Sequence, residues 1–145
     1  MATIKSFTDI SQSKVLAKIL PIESADMYYQ YVLPKSSKIK HIPAVGNPIN
    51  ALEWYNKGYT FGGKEPITLD EYCVPCWSLA VLISVLPQFI EFKGDKYYLR
   101  FMKEYVEYAN DEISITGRYL HTTGNDNLVD ACYEMILKLH ELNLL

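Results

Sequence analysis

From Cys73 to Phe89 the chain carries no charged residue: Cys-Val-Pro-Cys-Trp-Ser-Leu-Ala-Val-Leu-Ile-Ser-Val-Leu-Pro-Gln-Phe. Between Val74 and Leu86 only Ser78 and Ser84 are polar, so a helix here would be apolar around its whole circumference and need cover on every side. Val81, Ile83 and Val85 would also suit a buried strand. Pro75 fits a first helical turn, where no backbone donor is needed, and Pro87 supplies a stop at a helix-like distance. The stretch therefore predicts a fully buried central helix over about 75–86, with most of the remaining chain as its cover. A membrane span is the competing reading, since Tyr72 to Phe89 is uncharged and Ile90 follows before Glu91. The part between the prolines would reach only about 20 Å at ~1.5 Å per residue, against a hydrocarbon core of roughly 30 Å. A core helix, and no membrane association, is the expectation.

A chain of 145 residues is the size of one domain with a core of its own. The opening Met-Ala-Thr-Ile-Lys-Ser-Phe-Thr-Asp has no apolar run that could serve as a secretory h-region, so a cytoplasmic location is expected. Three cysteines, an odd number, do not form a disulfide framework and are expected as reduced thiols. A formal charge of -3 offers no general attraction to nucleic acid or to an anionic membrane. Twelve tyrosines, five phenylalanines and two tryptophans argue for a β component and leave room for a binding face.

Helical spacing of Val15, Leu16, Ile19 and Leu20 predicts a first helix over Ser6–Leu20, capped by Thr8 or Ser11, with Asp9 at its positive end and Pro21 after it. Asp26–Leu33 is rich in β-favouring aromatics and reads as a strand ended by Pro34. Four prolines, four glycines and a short basic run make residues 34–66 an irregular insertion, with mobility one reading of it. Within it Trp54–Phe61 has the form of a small aromatic hairpin. Thr68-Leu-Asp-Glu71 matches a capping box leading into the central helix. Gln88–Phe92 and Lys96–Met102 flank Lys93-Gly94-Asp95 as a hairpin, with Tyr97, Leu99 and Phe101 on one face. Leu99, Met102, Val106 and Ala109 also fit helical spacing, so residues 96–109 stay open between strand and helix. Ile113–Leu120 predicts a final strand with a bulge or kink near Gly117. Leu128, Ala131, Cys132, Met135, Ile136, Leu139 and Leu142 define one side of a last helix, with Asp126 as N-cap and Glu134 four residues before Lys138. The fold class expected is α+β: three helices, one fully buried, against an antiparallel sheet of about four to six strands, a usual sheet size.

Three blocks carry a resemblance: Ile4 to Met27 at the start, Cys76-Trp-Ser-Leu-Ala-Val-Leu-Ile-Ser-Val-Leu-Pro87, and Asn127-Leu-Val-Asp-Ala-Cys-Tyr-Glu-Met-Ile-Leu-Lys-Leu-His-Glu-Leu142. Together they resemble a family of small uncharacterised proteins from gut bacteria and their phages. No activity comes with the resemblance, which implies at most a role linked to phage or other mobile genetic elements. Residues 30–66 match nothing in it.

Cys73-Val-Pro-Cys76 is the one pattern with a mechanism attached. At a helix N-terminus the dipole lowers a thiol pKa, and a C-x-x-C pair there can shuttle between dithiol and disulfide. Against this, the βαβ setting of such redox motifs is missing ahead of it, and Cys76 enters an apolar run where a thiol serves as a small hydrophobe. A metal site would need Cys132, His121 or His140 to join Cys73 and Cys76, but no second C-x-x-C or H-x-x-x-H half is present. His41, His121 and His140 stand apart from any nucleophile or acid/base motif. Gly62-Gly63-Lys64 lacks phosphate-loop spacing, and Asp126 and Asp130 fit a helix cap and a solvated face. Lys93, Lys96, Arg100, Lys103 and Arg118 interleave with Tyr97, Tyr98, Phe101, Tyr105 and Tyr119, as base-stacking sheets do. Glu91, Glu104, Glu107, Asp111 and Glu112 lie among them, so that face is mixed rather than basic.

No catalytic residue, cofactor or metal ligand is assigned. The expectation is a non-enzymatic interaction protein that binds a protein partner or itself through tyrosine-rich sheet surface and the 34–66 region. A thiol-redox protein using Cys73 and Cys76, and a single-stranded nucleic-acid binder, are the alternatives.

Overall fold

The computed structural model describes residues 5–32, 40–56, 73–102, 105–110, 118–122 and 125–145, and the elements counted are those of these residues. The chain is α+β, with four α-helices and two antiparallel sheets of three and four strands. It clusters into two compact units, Phe7–Val81 in one, Met1–Ser6 with Leu82–Leu145 in the other.

In the Phe7–Val81 unit, α1 (Ile10–Leu16) is capped by Asp9 rather than by Thr8 or Ser11. Gln12 N–H donates to Asp9 Oδ1 at 2.8 Å and Asp9 N–H to Gln12 Oε1 at 3.1 Å, a reciprocal box that satisfies two helix-end donors. The helix is shorter than the Ser6–Leu20 expected, and residues 17–20 continue as turns up to Pro21. A three-residue 3-10 turn, Ile22–Ser24, leads into β1 (Met27–Val32), the strand the aromatics predicted.

Residues 34–66 were expected to be irregular, and their described part is regular. It holds β2 (Lys40–Val45) and α2 (Pro48–Asn56). Asn47 starts α2: its Oδ1 accepts from Ile49 N–H at 2.9 Å, and Pro48 takes the first helical position, where a missing N–H costs nothing. Trp54, Tyr55 and Asn56 thus belong to a helix and not to a hairpin arm; residues 57–61, and the capping box expected at 68–71, lie outside the described residues.

The largest correction concerns the central stretch. Cys73–Cys76 is a strand, β3, and helix α3 begins only at Leu79 and runs to Val85. Pro75 is compatible with either reading, because at the outer edge of a sheet no donor is required of it. Pairing with β1 decides: the sheet order is β2-β1-β3, with Tyr29 opposite Pro43 and Tyr28 opposite Pro75. Both prolines lack an N–H, so both pairs must be of the non-hydrogen-bonding kind, and each proline turns its donorless side outward. The hydrogen bond from Gly46 N–H to Asp26 O at 2.8 Å continues the same alternation. Ser78 caps α3, accepting from Val81 N–H at 3.3 Å while its own N–H donates to Asp26 Oδ1 at 2.9 Å. The helix is not fully buried: Leu82 is, but Ala80 and Ser84 are exposed.

In the other unit, β4 (Phe89–Phe92) and β5 (Asp95–Phe101) form the expected hairpin. Its two-residue turn has Lys93 at φ 51° and Gly94 at φ 84°, the doubly left-handed geometry of a type I′ turn, whose twist matches the strands. Strands β6 (Val106–Ala109) and β7 (Arg118–His121) complete a β4-β5-β6-β7 sheet, which resolves residues 96–109 in favour of strands over their described part. A register shift at Tyr108/Ala109 leaves Tyr119 without a direct cross-strand residue; this bulge lies beyond Gly117, which is itself outside the described residues.

Helix α4 (Leu128–Glu141) buries Val129, Ala131, Cys132, Met135, Ile136 and Leu139 and contacts β6. Asn127, not Asp126, is its N-cap, with Oδ1 accepting from Asp130 N–H at 2.9 Å. Leu128 is half-buried and Leu142 exposed, so the buried stripe runs through Val129 instead. Asn143, at φ 56°, closes the helix: its N–H donates to His140 O and Leu144 N–H to Leu139 O, the paired bonds of a Schellman end.

Candidate functional site

The cysteines come first, because they carried the only mechanism legible in the sequence. Cys73 and Cys76 are three positions apart on a strand, so their side chains leave opposite faces. Cys73 Sγ donates to Pro48 O at 3.7 Å, and Cys76 Sγ to Thr8 O at 3.4 Å. All three cysteines are free and buried. Burial pushes the Cys73 thiol up to about 11 and the Cys132 thiol up to about 12, and raises Cys76 as well, against the opposing hydrogen bonds of Thr8, Ser13 and Tyr29. The helix-dipole basis for a low-pKa C-x-x-C is absent, since β3 and not a helix start holds the pair.

What surrounds Cys76 is a polar knot centred on Thr8, which is fully buried. Its N–H donates to Trp77 O at 3.0 Å, and its Oγ1 accepts from Trp77 N–H at 3.2 Å and shares a 2.8 Å bond with Ser13 Oγ. Its carbonyl accepts from Tyr29 Oη at 2.6 Å. Tyr29 packs with Val74 and Cys76, and its ring meets Phe7 edge-on at 6.3 Å. Buried polar groups with partners rigidify a core, and this set has that role: it ties α1, β1 and β3 together. Sequence reading missed it, because nothing local marks Thr8 as anything but a cap candidate.

The other constellation is the face of the four-stranded sheet that carries Phe89 and Tyr98, exposed over β4 and the start of β5 and buried over β6. Register sorts the interleaved residues into two faces. Ile90, Val106, Tyr108 and Thr122 point to the buried side with Tyr97, Leu99 and Phe101, and Tyr108 Oη donates to Pro87 O at 2.6 Å. Burial, with Cys132 nearby, raises the Tyr108 hydroxyl pKa well above its ordinary value. The opposite face carries Phe89 and Glu91 on β4, Lys96, Tyr98 and Arg100 on β5, Glu107 on β6 and His121 on β7. Phe89 and Tyr98, directly opposite, stack tilted at 6.4 Å, and Lys96 Nζ sits 4.7 Å over the Phe89 ring. Arg100 Nε donates to Glu107 Oε1 at 2.9 Å, and Glu107 is only 3% exposed. Met102, next in the same alternation after Arg100, is also exposed.

Of the residues singled out from sequence, Lys96, Tyr98 and Arg100 are therefore brought together, while Tyr97 and Phe101 are sent to the other side. Lys93 lies in the turn over the Phe92 ring at 5.3 Å. Lys103, Glu104, Asp111 and Glu112 lie outside the described residues, and so does Gly62-Gly63-Lys64. The histidines stay apart: His41 on β2, His121 exposed on β7, His140 exposed near the end of α4. Asp126 is exposed, and Asp130 receives Lys5 Nζ at 2.8 Å. Among the described residues no three His, Cys, Asp or Glu side chains are grouped to hold a metal ion, and no helix is long and apolar enough to cross a membrane. Phe89 and Met102 were missed at the sequence level, although their parity with Tyr98 across and along the hairpin was available to find them.

Searches of protein-family models, curated proteins and solved structures returned no match for this chain.

Proposed function

We propose that the protein is a non-enzymatic binding protein whose recognition surface is the β4–β5 half of the open sheet face. The observation that carries this reading is the exposure of three large apolar side chains on one face of one hairpin: Phe89 at 46%, Tyr98 at 52% and Met102 at 43%. Aromatic residues, Met and Arg are the types enriched in protein interfaces, and Arg100 stands between Tyr98 and Met102. Face charge favours a protein partner over nucleic acid: Lys96 lies opposite Glu91 and Arg100 is paired with Glu107, so the two cations beside Tyr98 each have an anion at hand. The buried, high-pKa thiols favour binding over redox chemistry. A setting in phage or other mobile elements belongs to the same proposal and rests on the sequence resemblance alone.

The test is chemical cross-linking of the wild-type chain and of a Phe89→Ser/Tyr98→Ser/Met102→Ser variant of unchanged circular dichroism. A cross-linked species, with itself or with another protein, that disappears in the variant supports the reading. A monomer at every concentration that cross-links to nothing overturns it.

A further inference from the structure

The geometry points to a second copy of this chain as the occupant of the Phe89–Tyr98–Met102 face, bound face to face about a two-fold axis. This rests on the reading of that face as a recognition surface and names what it recognises. The first argument is electrostatic. The chain as a whole has a formal charge of -3, so two copies repel one another in most orientations. Over the β4–β5 half of this face each cation has an anion beside it: Arg100 Nε is 2.9 Å from Glu107 Oε1, and Lys96 and Glu91 are cross-strand neighbours. Two copies that meet here bring paired rather than like charges together, whereas a polyanion or a strongly basic partner finds these charges already paired.

The second argument is self-complementarity. A two-fold contact uses the same patch on both sides, so the patch must contain both members of every pair it makes. The open face does: both signs of charge occupy neighbouring registers, Lys96 on β5 and Glu91 on β4, about 4.8 Å apart from strand to strand. Next to them the Phe89 and Tyr98 rings form one tilted pair. A copy turned by the two-fold can set its Lys96 against the other's Glu91 while the aromatic pairs meet at the centre, where interface energy concentrates.

Sedimentation equilibrium of the full chain over a wide concentration range tests this, with four variants at exposed positions: Tyr98→Lys, Glu91→Lys, Lys96→Glu, and the last two combined. The expected result is a reversible dimer, weakened roughly thirtyfold or more by Tyr98→Lys. Each single charge reversal should weaken it, and the double reversal should restore it. Restoration is diagnostic where the single variants keep the urea midpoint of the wild type, because Glu91 and Lys96 are also cross-strand neighbours within one chain and the second reversal restores that pair too. A monomer throughout overturns the inference, and so does a dimer indifferent to these four variants. If the monomer still cross-links to another protein through this face, the broader reading survives and only the second copy is lost. Salt-sensitive quenching of tyrosine fluorescence by an oligonucleotide would overturn it in favour of nucleic acid.

Discussion

Thr8 and Trp77 hold each other by two hydrogen bonds: the Thr8 N–H donates to the Trp77 carbonyl at 3.0 Å, and the Trp77 N–H donates to Thr8 Oγ1 at 3.2 Å. Both residues are wholly buried. Replacing Thr8 by Val keeps the shape and removes the oxygen, leaving the Trp77 N–H unsatisfied and Ser13 Oγ without this bond. A loss of about 1–3 kcal/mol is expected in urea unfolding, with Thr8→Ser closer to wild type because it retains the hydroxyl. Equal stability of Thr8→Val and wild type would show that the knot contributes nothing.

The thiols predict an alkaline limit. Burial raises the folded-state pKa of Cys73 to about 11 and of Cys132 to about 12, with Cys76 shifted the same way. Between the unfolded thiol value, near 8.5, and these folded values the unfolded chain has lost protons that the folded chain keeps. Their contribution is therefore complete below about pH 8.5 and is lost as pH rises toward 11–12, at about 1.4 kcal/mol per pH unit for each thiol. Unfolding free energies from urea titrations between pH 8 and 10.5 should fall as pH rises, less steeply in Cys73→Ala. At neutral pH all three thiols should label slowly in the native state, and fast labelling of Cys73 or Cys76 would contradict the burial that raises them.

The β4–β5 turn offers a test in both directions. Gly94 has open space around its missing Cβ, so the penalty of Gly94→Ala comes from its φ of 84° alone, about 1–2 kcal/mol. Lys93, also left-handed at φ 51°, should gain a few tenths to about 1 kcal/mol on replacement by Asn, which tolerates that region better. Thermal unfolding of the two variants should move in opposite directions, and a shift of the same sign for both would refute the turn assignment.

Pro43 guards the outer edge of β2. Ile42 and Val45 beside it are exposed, and Pro43→Thr would restore an outward N–H to a strand that already presents apolar side chains. Stability should change by less than about 0.5 kcal/mol, while light scattering on prolonged incubation should rise. Unchanged scattering would mean that the edge is protected by something other than this proline.

The elements read correctly from sequence are those whose signals are local. Helix α4 follows from an apolar stripe over fourteen residues, and the β4–β5 hairpin from a glycine between two alternating runs. Helix α1 and strand β1 were placed for similar reasons, though the caps were displaced, to Asp9 from Thr8 or Ser11 in α1 and to Asn127 from Asp126 in α4, where several capping side chains compete within a few positions. Asn47-Pro48 is an equally local start signal for α2, and the reading of residues 34–66 as irregular passed over it.

What the chain could not state by itself was which partner each ambiguous segment would find. Cys73–Cys76 is proline-bearing and apolar, which a helix start and a sheet edge accept equally; the ladder to Met27–Gln30 made it a strand. The same holds for the open face. The alternation of Lys96, Tyr98, Arg100 and Met102 was determined by sequence, but which side of the sheet would be covered depended on β6 and on the packing of α4. Periodicity is a property of neighbours along the chain, so it survives in sequence. Burial, cross-strand pairing and the pKa shifts that follow are properties of neighbours in space, and only the tertiary structure decided them.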